Sequence, residues 1–80
     1  MTMELNEAFG YVLRKLRKDA QLSQEDLALR CDLDRTYIGL LERAQRQPTL
    51  STIFKIANVL EIAPSDLIKQ VEYHINETLN

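Results

Sequence analysis

Arg35 and Thr36 stand together at the start of a short helical pattern, and both side chains can bind the edge of a base. An Arg guanidinium pairs bidentately with O6 and N7 of guanine, and a Thr side chain can meet a base or a thymine methyl group. At about 100° per residue, one side of this helix is apolar, with Ile38 and Leu41. The opposite side carries five residues: Arg35, Thr36, Gly39, Leu40 and Arg43. Exposed Arg and Thr are ordinary by themselves, so the assignment depends on the surrounding elements.

Gly39 and Leu40 are the unusual members of this exposed side. Gly in a helix interior costs about 1 kcal/mol relative to Ala, which predicts that some group approaches the backbone closely at Gly39. That group is either a bound molecule or a neighbouring helix. Leu40 either contacts a thymine methyl group of a bound DNA or lies outside the DNA groove that this side of the helix would enter.

Two capped helix starts, eleven residues apart, position this exposed side. Ser23 and Asp26 have the spacing of a capping box, and Asp34 is an N-cap residue immediately before Arg35. Each start has an apolar staple pair, Leu22 with Leu27 and Leu33 with Ile38. The interval leaves room for about two helical turns and a short connection. The spacing predicts a helix-turn-helix over about residues 23–44, the arrangement that places a helix in the major groove of DNA.

Three further helices are predicted from apolar residues at helical spacing. The first carries Leu5, Ala8, Phe9, Val12, Leu13 and Leu16. Thr49 can cap a fourth helix, whose apolar residues are Leu50, Ile53, Ala57 and Leu60. Pro64 suits the first turn of a fifth helix over about 64–77, with Leu67, Ile68, Val71 and Ile75. Since no alternating run is long enough for a strand, we expect an all-α fold, a compact five-helix bundle forming one domain over residues 1–80.

The net charge of −2 and the pI near 5.3 oppose a nucleic-acid-binding function. The charge is unevenly distributed, however. Up to Arg46 there are eight basic and eight acidic residues, whereas from Gln47 onward there are two basic and four acidic ones. Between Arg35 and Arg46 there are three Arg and one Glu. The predicted exposed side of the third helix is therefore locally positive.

The sequence lacks the combinations of catalytic residues that most enzymes use. The single cysteine, Cys31, excludes an intramolecular disulfide and is expected to be a buried thiol. The single histidine, His74, is expected at the surface, so no nucleophile–base pair and no metal-binding spacing is evident. We expect no enzymatic activity, cofactor, metal or small-molecule ligand. No apolar run approaches the roughly 18 residues of a membrane span and no signal peptide is evident, so we expect a cytoplasmic protein.

Over about residues 9–68 the sequence resembles the Cro-type and lambda-repressor-type helix-turn-helix regulators, the XRE family. The matching elements are Leu16-Arg17, Leu22–Ala28, Tyr37-Ile38, Leu41–Arg43, Arg46–Leu50, Ile56-Ala57 with Leu60, and Asp66–Ile68. A series of spaced matches is more specific than any single motif. The run Asp34–Ile38 and the short length look most like the controller proteins of restriction-modification systems. The resemblance implies a lambda-repressor-like fold and a transcriptional regulator that binds specific DNA sequences.

The resemblance assigns base contacts to the start of the third helix. Arg35 and Thr36 match the base-reading positions of the family. Tyr37 lies at the edge of the same face, where its hydroxyl reaches a phosphate or a sugar edge, or where the ring is simply a half-buried rim aromatic. Gly39 lies among these residues and is assigned to the same DNA-binding face.

Five other residues match the family at positions that hold DNA or the fold. Gln24 matches the glutamine that bonds a phosphate and supports the third helix; otherwise it is an exposed residue at a helix start. Arg43 and Arg46 match positions that grip the DNA backbone. Arg17 and Glu42 match a pair that ties the first helix to the third. This ion pair is architectural.

Three residues depart from the family pattern at positions where the family has Gly. Asp32 stands where the turn between the second and third helices usually has Gly, Ala44 where Gly usually ends the third helix, and Glu61 where Gly often ends the fourth. Asp tolerates a left-handed backbone, so Asp32 is easily accommodated. Ala44 is less comfortable there, which leaves the geometry after Arg43 open.

A single short helix reads few base pairs, and related regulators pair two half-sites about one helical turn apart. We therefore expect a symmetric homodimer on a palindromic operator in double-stranded DNA, associated with the nucleoid through that DNA, with RNA polymerase as a further candidate partner. Apolar residues left over from the core stripes are the expected interface, together with the fifth helix: Phe54, Val59, Ile62, Tyr73 and Leu79. The alternative is an antitoxin or a protein-interaction module on the same scaffold, with the acidic C-terminal part facing a basic partner.

Overall fold

The structure, a computed structural model, describes residues 3–77, which contain five α-helices. They are α1 (Leu5–Asp19), α2 (Gln24–Cys31), α3 (Arg35–Glu42), α4 (Leu50–Val59) and α5 (Pro64–Glu77). No strand occurs among these residues, so the predicted all-α fold class is confirmed. None of these helices is both long and apolar enough to cross a membrane. Leu79 lies outside the described residues.

Side-chain caps start α2, α3 and α4 at the predicted residues. Ser23 Oγ accepts from the backbone N–H of Asp26 at 3.0 Å, and the N–H of Ser23 donates to Asp26 Oδ2 at 3.2 Å. The hydrogen bond from the Ser23 backbone N–H, and next the Ser23 side chain, hold the pKa of the Asp26 carboxyl below its usual value. Asp34 accepts from the N–H of Thr36, and Thr49 from the N–H of Thr52, both at 3.1 Å. The start of each helix is therefore fixed by residues adjacent in the sequence.

The core draws its buried apolar side chains from all five helices: Ala8, Phe9, Val12, Leu13, Leu27, Ala28, Cys31, Ile38, Leu41, Ile53, Ile56, Ala57, Leu67 and Val71. Three residues predicted for the apolar stripes are exposed instead: Leu5, Leu50 and Ile68. Leu50, for example, is 74% exposed. Leu50 is the first residue of α4. Viewed down the helix axis, at about 100° per residue, it lies about 60–70° away from the side that carries Ile53 and Leu60 and faces the core. Ile56, fully buried, lies on the opposite flank of that side.

Cys31 is buried at the end of α2, as predicted, with Sγ 3.8 Å from the carbonyl oxygen of Lys55 on α4. Burial raises the pKa of this thiol. The side chain therefore acts as a small apolar contact between α2 and α4.

Each of the four connections between helices contains one residue in the left-handed backbone conformation. Gln21, Asp32, Ala44 and Glu61 have φ values of 60°, 57°, 61° and 56°. In each case the next residue donates its N–H to the carbonyl five residues earlier, for example from Gln45 to Leu40 at 2.9 Å. This is the hydrogen bond of a Schellman turn, which satisfies a carbonyl at the end of a helix. The structure thus settles the geometry after Arg43, and it adds Gln21, for which the sequence predicted no special conformation.

Gly10 brings α1 into contact with the backbone at the end of α3. A Cβ atom on residue 10 would lie 2.7 Å from the carbonyl oxygens of both Leu41 and Glu42. Any larger residue would therefore push the two helices apart. No local sequence pattern indicates this role of Gly10, because its contact is with residues about thirty positions away.

We predict that Ala44→Gly stabilises the protein by about 1 kcal/mol, since Gly removes the steric cost of the left-handed backbone at residue 44. The measurement is urea or thermal unfolding. Ala20→Gly is the matched control, because Ala20 has φ −83° at the end of α1. The control should gain nothing; an equal gain in both variants would contradict the explanation.

Gly10→Ala should have the opposite effect and destabilise the protein by about 1 to 3 kcal/mol, because the added methyl group overpacks the contact between α1 and α3. Unfolding by urea measures this loss. If the variant were as stable as the wild type, the two helices would not be in the close contact described.

Candidate nucleic-acid interface

The exposed side of α3 begins at the Asp34 cap and continues into the loop after the helix. Arg35, Thr36 and Arg43 are exposed, as is Arg46 in that loop. The first turn of α3 adjoins the first turn of α2, and Arg17, Gln24 and Arg35 line a shallow depression where the two turns meet. Glu25 and Asp26 line the same depression, and the exposed side of α3 itself carries cationic and hydroxyl donors.

A buried ion pair between Arg17 and Glu42 lies directly beneath this surface. Arg17 Nε donates to Glu42 Oε2 at 2.6 Å, and Nη2 donates to Oε1 at 3.0 Å. Arg17 Nη1 donates to the carbonyl oxygen of Leu22 at 2.8 Å. The two side chains are 10% and 4% exposed. The hydrogen bonds to Glu42 raise the pKa of Arg17 despite the opposing effect of burial. This is the pair that the family resemblance implies.

The ion pair also changes the electrostatics of the exposed face. Glu42 is the one acidic residue between Arg35 and Arg46, and Arg17 compensates its charge. The guanidinium groups of Arg35, Arg43 and Arg46 remain at the surface. Although the chain has a net negative charge, the exposed charges from Arg35 to Arg46 are therefore all positive.

Gln24 connects α2 to this ion pair. Its Nε2 donates to Glu42 Oε1 at 3.1 Å, and the residue is half-buried. It is therefore not the plain exposed residue of the alternative interpretation; it supports α3 as the resemblance implies. Its expected contact with a phosphate stays a prediction.

Gly39 is buried, which differs from the expectation that it lies open on the exposed face. The groups nearest to the position of a Cβ atom on Gly39 are Arg43 Nη1 at 3.1 Å and Gln24 Oε1 at 3.7 Å. Two side chains therefore cover the glycine. Leu40, beside it, is half-buried.

Tyr37 is half-buried and points toward α4, where its hydroxyl lies 3.5 Å from Thr52 Oγ1. Thr52 is buried and also accepts from Thr49 Oγ1 at 3.0 Å. The tyrosine thus takes part in fixing α3 against α4 at the edge of the exposed face. The role of Thr52 was not predicted from the sequence. Its position three residues after the Thr49 cap could have indicated a hydrogen bond between the two residues.

The residues expected at a dimer interface fall into two groups. Phe54 and Tyr73 are 59% and 61% exposed. Val59 and Ile62 are half-buried and pack against the core of their own chain, so they are not left over from it as expected. His74 differs from the expected surface residue as well. It is half-buried between Tyr11 and Tyr73, with ring centroids 4.8 and 5.4 Å apart in edge-on contacts.

A short helix with an exposed polar side, held by a second helix through a tight turn, defines a DNA-binding helix-turn-helix domain. The chain belongs to the helix-turn-helix family, whose model, described as Helix-turn-helix, matches residues 13–67. This is a family of DNA-binding regulators.

Similar proteins include the controllers of restriction-modification systems. The control protein C.BamHI of Bacillus amyloliquefaciens is 42% identical over 69 residues, which cover 85% of each chain. The restriction-modification controller protein C.AhdI from Aeromonas hydrophila, known from a crystal structure, has 47% sequence identity to this chain. The two structures match with a TM-score of 0.75 over 78% of this chain and 94% of that one. The controller protein C.Esp1396I, solved as a tetramer with its natural 35-base-pair operator, is 32% identical with a TM-score of 0.80, over 89% and 93% of the two chains. These relatives confirm the resemblance to XRE-type regulators and controller proteins, and they favour a transcriptional regulator over the antitoxin alternative.

We predict that Glu42→Gln destabilises the protein by about 3 kcal/mol or more, because it leaves the buried Arg17 guanidinium without a compensating charge. Urea unfolding measures the loss. Glu25→Gln, on the exposed side of the first turn of α2, is the matched control and should change stability by less than about 0.5 kcal/mol. A loss of that small size for Glu42→Gln would mean that the pair is not buried.

Proposed function

We propose that this chain binds a palindromic operator as a homodimer and regulates the genes of a restriction-modification system. The observation that carries the proposal is the exposed set of Arg35, Arg43 and Arg46 on α3 and its following loop, where the one acidic residue between Arg35 and Arg46, Glu42, is neutralised by Arg17. The controller proteins among its relatives support the choice of regulated system. The regulator acts in the cytoplasm, on the nucleoid, where its operator would lie.

Base reading is assigned to the start of α3. Arg35 is the first residue of the helix and Thr36 the second, and both are exposed. When the N-terminal end of a recognition helix enters the major groove, these positions meet base edges first. Arg35 would donate both hydrogen bonds to a guanine, and Thr36 would contact the neighbouring base.

Backbone contacts are assigned to residues around that start. Arg46 is exposed in the loop after α3, where it can reach a phosphate beside the groove. Gln24 lines the depression beside Arg35 and can bind a second phosphate. These contacts fix the orientation of α3 but carry no base specificity.

Dimerisation is assigned to α4, with Tyr73 on α5 as a second contribution. Phe54 and Leu50, one helical turn apart on α4, are both largely exposed and apolar. Exposed apolar neighbours of this size mark a protein interface more often than isolated ones do. The C.Esp1396I assembly, four subunits on a 35-base-pair operator, is an oligomer of a related chain on DNA. RNA polymerase is proposed as a further partner.

The base-reading assignment is tested with Arg35→Ala. Its affinity for the operator should fall by about 1 to 3 kcal/mol and its preference at one base pair in each half-site should disappear, because the guanine loses two hydrogen bonds. The operator is first obtained by selecting bound duplexes from a random pool. Arg30→Ala, which removes an exposed charge at the end of α2, is the control and should bind like the wild type. Equal weakening of Arg35→Ala on operator and random DNA would contradict base reading.

Arg46→Ala should weaken binding to all sequences alike. Its plot of log affinity against log salt concentration should lose about 0.9 in slope for each phosphate contact removed. Fluorescence anisotropy at several salt concentrations measures both quantities. A sequence-dependent loss with an unchanged slope would contradict a phosphate contact.

Phe54→Glu should shift the protein toward monomer, because a charge would replace an exposed apolar contact. Sedimentation across a concentration series measures the shift, and operator binding should weaken in parallel because dimerisation and DNA binding are linked. Leu29→Glu is the matched control, since Leu29 is exposed on α2. Variants at Val59 or Ile62 are less suitable, because both residues pack against the core. A wild-type chain that stays monomeric and binds one half-site as tightly as the palindrome would overturn the dimer.

A further inference from the structure

The Glu42 carboxylate determines which way the Gln24 carboxamide points. Glu42 Oε1 accepts from Arg17 Nη2 at 3.0 Å and from Gln24 Nε2 at 3.1 Å. A carboxylate can only accept hydrogen bonds, so it must face the NH2 group of the amide. The Gln24 oxygen is consequently turned away from the ion pair.

That oxygen lies beside Gly39, and so does the guanidinium of Arg43. Measured from the position of a Cβ atom on Gly39, Gln24 Oε1 is at 3.7 Å, Arg43 Nη1 at 3.1 Å and Arg43 Cζ at 3.8 Å. An amide oxygen only accepts and a guanidinium only donates, so the two groups could form a hydrogen bond after a small movement of Arg43, although none joins them in the described part of the chain. Arg43 thus folds back one turn along α3 instead of extending from the end of the helix, in the direction that helical side chains prefer.

The absence of a side chain at residue 39 makes room for this arrangement. Gly is the least favourable helix residue apart from Pro, so a glycine within α3 costs stability. A Cβ atom there would contact the guanidinium at 3.1 Å, which is closer than an ordinary van der Waals contact, and Arg43 would have to move. The exposed position of Arg43 leaves it free to do so.

We propose that Gln24 and Gly39 are positioning residues for Arg43, which they hold over the middle of the exposed face of α3 so that its guanidinium meets DNA there. The Arg17–Glu42 pair extends to this face through Gln24, and it therefore orients a DNA-contacting group in addition to joining α1 to α3. This inference rests on the proposed function, because it assumes that the exposed face of α3 binds DNA.

Two double-mutant cycles test the proposal, one combining Gln24→Met with Arg43→Met and the other combining Gly39→Ala with Arg43→Met. The probes are the duplex selected by the wild-type protein and a random duplex of equal length. In the wild-type background, Gln24→Met and Gly39→Ala should each weaken binding to the selected duplex about fivefold or more. In the Arg43→Met background, Gly39→Ala should cost less than about twofold, and the cost of Gln24→Met should shrink to that of its own phosphate contact, because the group that both residues position is gone. Gln70→Met, on α5, is the control for the loss of an amide.

Gly39→Ala provides a second readout that a merely structural role would not give. Replacing a helical Gly with Ala should raise Tm by about 4 °C or more while the affinity falls. Nitrogen-15 NMR of the free protein supplies a third readout. Rotation about the Arg43 Nε–Cζ bond should be slower in the wild type than in Gln24→Met.

Each result decides the proposal. Losses that persist in full in the Arg43→Met background would overturn it, since Gln24 would then act only through its own contact with DNA, or DNA itself would approach residue 39. Equally fast rotation of the Arg43 guanidinium in wild type and Gln24→Met would overturn it as well. A wild-type protein that selects no sequence would refute the proposed function, and the inference with it, whereas selective binding with additive losses would refute the inference alone.

Discussion

The buried ion pair between Arg17 and Glu42 is the interaction on which the arrangement of the helices depends. Burying an unpaired charge costs several kcal/mol, so α1 and α3 are held where each charge meets the other. Both carboxylate oxygens of Glu42 and three guanidinium nitrogens of Arg17 have partners in the structure. Gly10 permits the close approach of α1 and α3 that this pairing requires, because its missing side chain leaves space for the carbonyl groups at the end of α3.

The same pair explains how an acidic chain can have a cationic recognition face. Net charge describes the whole molecule, whereas a ligand in contact with the surface interacts with the charges within about 10 Å, the screening length at moderate salt. Along α3 and the following loop the single acidic side chain faces inward to Arg17, and the three arginines face outward. The acidic excess lies in the C-terminal part of the chain, on α4, α5 and their connection.

The turns between the helices show how this sequence replaces the glycines usual in its family. Asp32, Ala44 and Glu61 all adopt the left-handed conformation, and so does Gln21, although each carries a Cβ atom. The Schellman hydrogen bonds and the packing of the following residues, such as Leu22, Leu33 and Ile62, hold the backbone there. The steric cost of each turn is thus offset by contacts made on either side of it.

Local features of the fold could be predicted from the sequence, because helix caps and apolar periodicity depend on residues within one or two turns. Ser23, Asp34 and Thr49 start their helices as predicted, and Ile38 and Leu41 are buried. The Arg17–Glu42 contact was accessible only through the family resemblance, since 25 positions separate its members. The tertiary structure alone decided that Leu50 is exposed, that Gly10 touches the end of α3, and that Arg43 lies over Gly39 beside Gln24. These features depend on the distances between packed helices, which no local pattern of residues specifies.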